Sequence, residues 1–179
     1  MTKPGVADVV ARVSDAAFGR ALVTNVLRGH VAEAIVAMAL EPEWKWCAAD
    51  YAAWDFEHVD GSRLEVKQSA RLQSWASNLG AEPRPSFDVR ERTGRWDGSV
   101  WLAEVGRQAH IYCFCWHDRE DGSADHRDPE QWEFFVIPAA VLPPVKRLAL
   151  GSIRRLAAPC GYHDLRDQVR RVASGVALA

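Results

Sequence analysis

The stretch Asp55-Phe56-Glu57-His58-Val59-Asp60-Gly61-Ser62-Arg63-Leu64-Glu65-Val66-Lys67 decides how this chain is read. Asp60-Gly61 is a strong turn signal between two runs of strand-forming residues, and it predicts a β-hairpin. On the second strand Glu65 and Lys67 are two apart and share one face, while Leu64 and Val66 share the other. The turn then decides where Asp55 falls. With a two-residue loop, Phe56 meets Glu65, Glu57 meets Leu64, and Asp55 lies on the face opposite Glu65. With a three-residue loop, Val59-Asp60-Gly61, Gly61 takes the left-handed position of a bulge. The partners become Glu57 with Arg63, Phe56 with Leu64, Asp55 with Glu65 and Trp54 with Val66. Opposite charges meet and apolar groups meet, so cross-strand pairing favours this second register. One carboxylate pair is left facing itself. That destabilises a sheet unless something positive sits between the two, and a metal ion supplies it.

Working outward, 179 residues with 48% hydrophobic and 26% charged side chains fit one globular domain over residues 1–179, with a sizeable core and no need of staples. The net charge of −2 hides an asymmetry. From Lys146 onward seven Lys/Arg face two Asp, an excess of five positive charges, which leaves −7 for residues 1–145. Any nucleic-acid contact must therefore come from local patches rather than from bulk charge. No apolar run approaches the roughly 20 residues that span a bilayer, and Met1-Thr-Lys-Pro-Gly5 lacks the apolar core of a signal peptide. A cytoplasmic protein with no membrane partner is the expectation. Cys47, Cys113, Cys115 and Cys160 form no CxxC pair; Cys113 and Cys115 alternate along an apolar strand, as buried free thiols do. The six histidines show no HxxxH spacing, and no P-loop, GxGxxG or Gly-x-Ser-x-Gly is present. Zinc-enzyme, nucleotide-driven and serine-hydrolase chemistries lack support.

Residues from about Val6 to Leu40 read as helix, broken near Gly19 or Asn25, with Val31, Ile35 and Met38 as an apolar stripe and Pro42 as the stop. Trp44–Cys47 reads as a first strand and Ala52–Val59 with Ser62–Ser69 as the hairpin. Residues 70–99 are rich in Pro, Gly and Arg and read as an irregular arm, followed by a short strand or turn at Val100–Glu104. His110–Trp116 and Trp132–Ile137 read as two later strands, Ala139–Leu142 as a helical turn, and about Tyr162–Ala173 as a basic helix. Trp54, Trp116 and Trp132 alternate with polar residues, as packing residues of strands do. The order predicts an α/β or α+β fold, a mixed sheet of about four to five strands covered by helices on both sides.

The spacing D-x9-E-x-K, Asp55 followed by Glu65 and Lys67, resembles the PD-(D/E)xK, or restriction-endonuclease-like, nuclease superfamily. Trp54 stands where that pattern usually has proline. The strands His110–Trp116 and Trp132–Ile137 and the helix opened by Tyr162-His-Asp-Leu165 are similar to the later core of such enzymes. The overlap covers residues 25–172 loosely and 50–75 more sharply. The resemblance implies a restriction-endonuclease-like core and a Mg²⁺-dependent nuclease, with Mn²⁺ a possible substitute. It implies Asp55, Glu65 and the Val66 carbonyl as metal ligands, Glu33 as a further metal-directed carboxylate, Lys67 as the group beside the attacking water, and Gln68 as a polar neighbour for that water or a phosphate. Mg²⁺ suits so sparse a site because it keeps several waters and takes substrate phosphate as a ligand. DNA is the expected substrate, in an enzyme that often works as a homodimer.

Each of these residues has a plainer reading. Asp, Glu and Lys on one side of an amphipathic hairpin can be a solvated face on which Lys67 neutralises Glu65. Glu33 lies about 200° around the helix from Val31 and can face water. By alternation Gln68 falls on the core face. Arg71, Arg84, Arg90, Arg92 and Arg95, interleaved with Gln73, Trp75, Phe87 and Trp96, suit phosphate contact and base stacking. The same arginines can instead pair with Glu82, Asp88, Glu91 and Asp97. Lys146, Arg147, Arg154, Arg155, Arg166, Arg170 and Arg171 form either a second phosphate-binding surface or a solvated basic face. The alternative to an enzyme is a catalytically inactive nucleic-acid-binding module, or a complex subunit, of the same fold.

Overall fold

A short stretch around Gly19 divides the N-terminal helical region in two. Helix α1 runs Val6–Phe18 and helix α2 Asn25–Leu40, ending two residues before Pro42. The structure, a computed structural model, describes residues 3–47, 52–74 and 84–176. Helix α1 has no buried residue, and Val6, Val9, Val10 and Val13 are all exposed. Helix α2 buries Ala32, Ile35, Val36, Ala39 and Leu40 instead, so most of the hydrophobic content of the N-terminal region goes into the second segment.

Nine strands follow among the described residues. β1 (Trp44–Trp46), β2 (Phe56–His58), β3 (Arg63–Ala70), β7 (Ile111–His117) and β8 (Trp132–Pro138) form one sheet in the order β1-β2-β3-β7-β8. β3 and β7 are parallel and the other neighbours antiparallel, so the sheet is mixed. Between β3 and β7 the chain adds β4 (Ser86–Asp88), β5 (Arg95–Asp97) and β6 (Val100–Leu102), with β5 and β6 paired as a small hairpin. The irregular arm expected over 70–99 thus carries two short strands.

The stretch 145–161, for which the sequence offered no pattern, holds β9 (Arg147–Ala149) and α3 (Leu150–Leu156). β9 pairs with β4, and Leu148 lies opposite Phe87. Both elements are too short for periodicity to show, and Gly151-Ser152 in the first turn of α3 reads in sequence as a turn signal. Helix α4 (Leu165–Ala173), preceded by a 3₁₀ turn over Tyr162–Asp164, occupies the place expected for the basic C-terminal helix.

The sheet has a core on each face. On one, Leu64, Val66, Cys113, Cys115, Phe134 and Val136 pack with Ile35, Val36 and Leu40 of α2 and Leu165 and Val169 of α4. On the other, Tyr112, Phe114, Trp116, Phe135 and Ile137 pack with Phe87, Val89, Leu148, Leu150 and Ile153. Alternation along each strand requires this division. The architecture is a five-stranded mixed α+β sheet flanked by helices, as the residue pattern predicts. The four cysteines are free thiols, Cys113 and Cys115 fully buried. Trp116 and Trp132 are core residues, whereas Trp54 lies half-buried beneath the Arg63 guanidinium, 4.0 Å from its ring centroid. Among the described residues no helix is long and apolar enough to cross a membrane.

Candidate active site

The hairpin adopts the three-residue loop. Phe56 pairs with Leu64 and Glu57 with Arg63. Gly61 donates its N–H to the His58 carbonyl (2.9 Å) at φ +87°, the left-handed geometry of a bulged turn. Asp60 Oδ1 accepts from the Ser62 N–H at 2.8 Å and closes the loop.

The expected pairs Asp55–Glu65 and Trp54–Val66 are not ladder pairs; regular pairing stops at Phe56. Asp55 still donates its N–H to the Leu64 carbonyl (3.0 Å), and its carbonyl accepts from Cys47 (2.8 Å). Its side chain does what a ladder residue cannot: Oδ2 accepts the Val66 N–H at 2.7 Å. A carboxylate that replaces a backbone acceptor leaves the strand but stays locked against β3. Val66 is therefore tied to Asp55 through its backbone, while its side chain is in the α2 core.

The Asp55 carboxyl is pushed well above the usual carboxylate range. Burial is the first cause and the Glu65 charge the second; the Val66 N–H pulls it back, Glu33 adds a further push upward, and Lys67 a small pull downward. The trio and Glu33 thus share one electrostatic neighbourhood. Lys67 Nζ donates to Glu65 Oε1, and both side chains are largely buried. Glu33 Oε2 accepts from the Trp46 indole at 3.3 Å and lies 3.5 Å from His30 Nδ1.

Gln68 points to the other side of the strand, as alternation requires. Its Oε1 accepts from Arg28 Nε at 2.6 Å, and its amide donates to Asn25 (3.3 Å). Its contacts are with the first turn of α2 rather than with Glu65.

Asp55, Glu65 and Glu33 are oxygen donors of the type a hard cation takes. Asp55 Oδ1, Glu65 Oε2 and Glu33 Oε1 have no hydrogen-bond partner among the described residues, and Asp55 is a carboxyl whose ionisation an added positive charge would favour. Among the described residues, however, no three carboxylates, imidazoles or thiols converge closely enough to enclose an ion by themselves. An ion here would rest on a carboxylate pair and draw the rest of its shell from water and substrate.

Two clefts meet at the Glu65–Lys67 contact. Lys67 lines one of about 460 Å³, bounded by the start of α2, the end of β3, and β4 with β9. Glu65 lines another of about 340 Å³, bounded by Ala52, Arg92, Arg95, Trp96 and Trp101. Trp96 and Trp101 pack edge to face at 5.4 Å, and each is nearly half exposed.

The basic residues of the arm divide. Arg90 pairs with Asp88 (2.6 Å), Arg95 with Glu104 (3.0 Å), and Arg71 with Asp118 (2.7 Å) and Glu120 (3.2 Å). The side chains of Arg84 and Arg92 have no such partner among the described residues and line the two clefts, one in each. Gln73 donates to the Ala70 carbonyl and lines the Lys67 cleft. Trp75, Glu82 and the neighbouring residues fall outside those described. Sequence reasoning missed Arg28, Asn25, Trp101 and Gln108 as cleft residues. Arg28 sits in an apolar helix, and nothing in its local pattern separates it from a solvated arginine.

No family model matches the chain, and no curated protein matches it in sequence.

Proposed function

We propose that this chain is a metal-dependent nuclease that hydrolyses phosphodiester bonds, in DNA foremost, with Asp55, Glu65 and Lys67 as the catalytic group. The observation that supports this reading most is the half-buried Asp55 carboxyl, held by the Val66 N–H beside Glu65 and Glu33, where its charge is costly without a cation. Bound Mg²⁺ or Mn²⁺ would polarise the phosphoryl oxygen and lower the pKa of a water. Asp55 and Glu65, with the Val66 carbonyl as the superfamily resemblance implies, would hold that ion, and Glu33 would stand behind them. Lys67, now bonded to Glu65, would move to the phosphate oxygens and stabilise the charge that develops there. The two clefts leave a path for a strand on either side of the pair. Trp96 and Trp101 offer exposed rings for base stacking, with Arg92, which has no ion pair among the described residues, beside them.

A second reading, a catalytically inactive nucleic-acid-binding module, is favoured by the Glu65–Lys67 contact, since that lysine already neutralises one of the two carboxylates. Mg²⁺ titration separates the two. For the nuclease, Mg²⁺ or Mn²⁺ raises the melting temperature of wild type but not of Asp55→Ala, and plasmid or single-stranded DNA is cut by wild type and at least about 100-fold more slowly by Lys67→Ala. Binding without cleavage assigns the module. Cleavage by both proteins alike points to a contaminant and sinks the assignment of Lys67.

A further inference from the structure

Arg28 is a buried charge without a counter-ion among the described residues. It is 1% exposed, yet it lines the Lys67 cleft. Its Nε donates to Gln68 and its Nη2 to Asn25 Oδ1 (2.7 Å), both neutral, and its Nη1 has no partner. No carboxylate lies within ion-pair distance of it among the described residues. Burial lowers its pKa to about 10. A charge in such a place is costly unless something pairs with it.

The surroundings increase the imbalance. Asn25 and Arg28 belong to the first turn of α2, a 16-residue helix whose Thr24 N-cap makes no side-chain bond to the orphan N–H groups. The positive end of the helix dipole therefore meets the cleft uncapped. Arg84 and Arg147 line the same cleft, and neither side chain has an ion pair or hydrogen bond among the described residues. Among the described lining residues the carboxylate is Asp88, which is already held by Arg90, and Lys67 is held by Glu65. Among the described residues three guanidinium groups around one cavity, Arg28, Arg84 and Arg147, have no carboxylate partner.

We propose that this cleft is a binding site for a phosphate monoester dianion. A monoester carries close to two negative charges at neutral pH and offers three acceptor oxygens, whereas an internal phosphodiester carries one charge and leaves more of the three arginines unpaired. Resting on the nuclease reading for the identity of the ligand, the monoester is the phosphorylated end of a nucleic-acid strand whose neighbouring linkage reaches Lys67. Gln68 is then a positioning residue, which holds Arg28 and Asn25 at the cleft from the strand that also bears Glu65 and Lys67.

The test uses the intact chain in metal-free buffer. Inorganic phosphate is titrated against chloride at equal ionic strength while the melting temperature is followed. Labelled oligonucleotides with 5′-phosphate, 3′-phosphate or hydroxyl ends are then compared by fluorescence anisotropy. The expected result is a saturable rise in melting temperature with phosphate and about tenfold tighter binding of one phosphorylated end than of the hydroxyl end. Arg84→Ala and Arg147→Ala, both exposed positions outside the core, each erase most of that preference. Arg28→Gln erases it too if that variant folds. Asp55→Asn retains it. Equal binding of all three ends, or phosphate acting no differently from chloride, overturns the proposal. A phosphate preference in a protein that never cuts DNA would uphold this site while refuting the nuclease reading, and cleavage without end preference would do the reverse.

Discussion

Asp55 is a carboxyl held where ionisation is costly, and the cost is testable. Its pKa is raised in the fold, so the charged form weighs against folding once the pH exceeds the ordinary carboxylate value. Asp55→Asn keeps an oxygen for the Val66 N–H and removes the charge. In metal-free buffer at pH 8 it should raise stability by about 1 kcal/mol, roughly 2–4 °C in melting temperature for a chain of this length, while abolishing DNA cleavage. Differential scanning fluorimetry with EDTA checks it, and a fall in melting temperature would show that Asp55 is an ordinary structural carboxylate. His126 makes the opposite case. It is fully buried, with Nδ1 accepting the Val23 N–H and Nε2 facing the Leu72 carbonyl. Burial first, then Arg28 and His117, depress its pKa from 6.5 to about 4. The unfolded imidazole therefore binds its proton at higher pH than the folded one. Its contribution is whole above about pH 6.5 and is lost as the pH falls toward 4, at most on the order of 3 kcal/mol. The urea midpoint should drop between pH 7.5 and pH 5, and His126→Asn should flatten that slope.

At the scale of elements, the hairpin turn governs the candidate site. Gly61 at φ +87° has no atom within 4 Å of where a Cβ would stand, so a side chain there meets only backbone strain. Gly61→Ala should cost about 1 kcal/mol and Gly61→Asn less, as read from urea unfolding; a neutral alanine would contradict the bulged geometry. Much of this element was legible in advance, because Glu57 opposite Arg63 and Phe56 opposite Leu64 make chemical sense in only one register. The end of the ladder was not legible. Nothing local says that Asp55 will exchange a place in the strand for a bond from its side chain to Val66. The break between α1 and α2 was readable from Gly19 and the residues after it, whereas β9 and α3 were invisible, since each is stabilised by what it packs on. β9 exists because β4 pairs with it, and the two elements are about sixty residues apart.

For the whole molecule, the arm between β3 and β7 must stay on the sheet if the clefts are to exist. Phe87 of β4 sits edge to face on Phe114 of β7, their ring centroids 5.2 Å apart, both fully buried. Phe87→Ala should cost about 3–4 kcal/mol, and the double-mutant cycle with Phe114→Ala should show a coupling of about 1 kcal/mol. Additive losses would place the arm elsewhere. Because the net charge is −2, the proposed function needs local basic patches such as the clefts to attract nucleic acid. DNA affinity should fall steeply with salt, and removing Arg84, Arg92 or Arg147 should each lower the slope by about one.

The chain by itself determined the turn, the register and the shared face of Glu65 and Lys67, because these follow from pairing chemistry within a dozen residues. It also determined the two-sided sheet, because the alternation of β3 and the apolar run of β7 permit no other burial. Only the tertiary structure decided that Asp55 holds β3 through Val66, that Gln68 belongs to Arg28, and that Arg28 is a buried charge lining the same cleft as Lys67. Each of those depends on burial and on partners as much as forty residues away, and an arginine reads the same in sequence whether water or protein surrounds it.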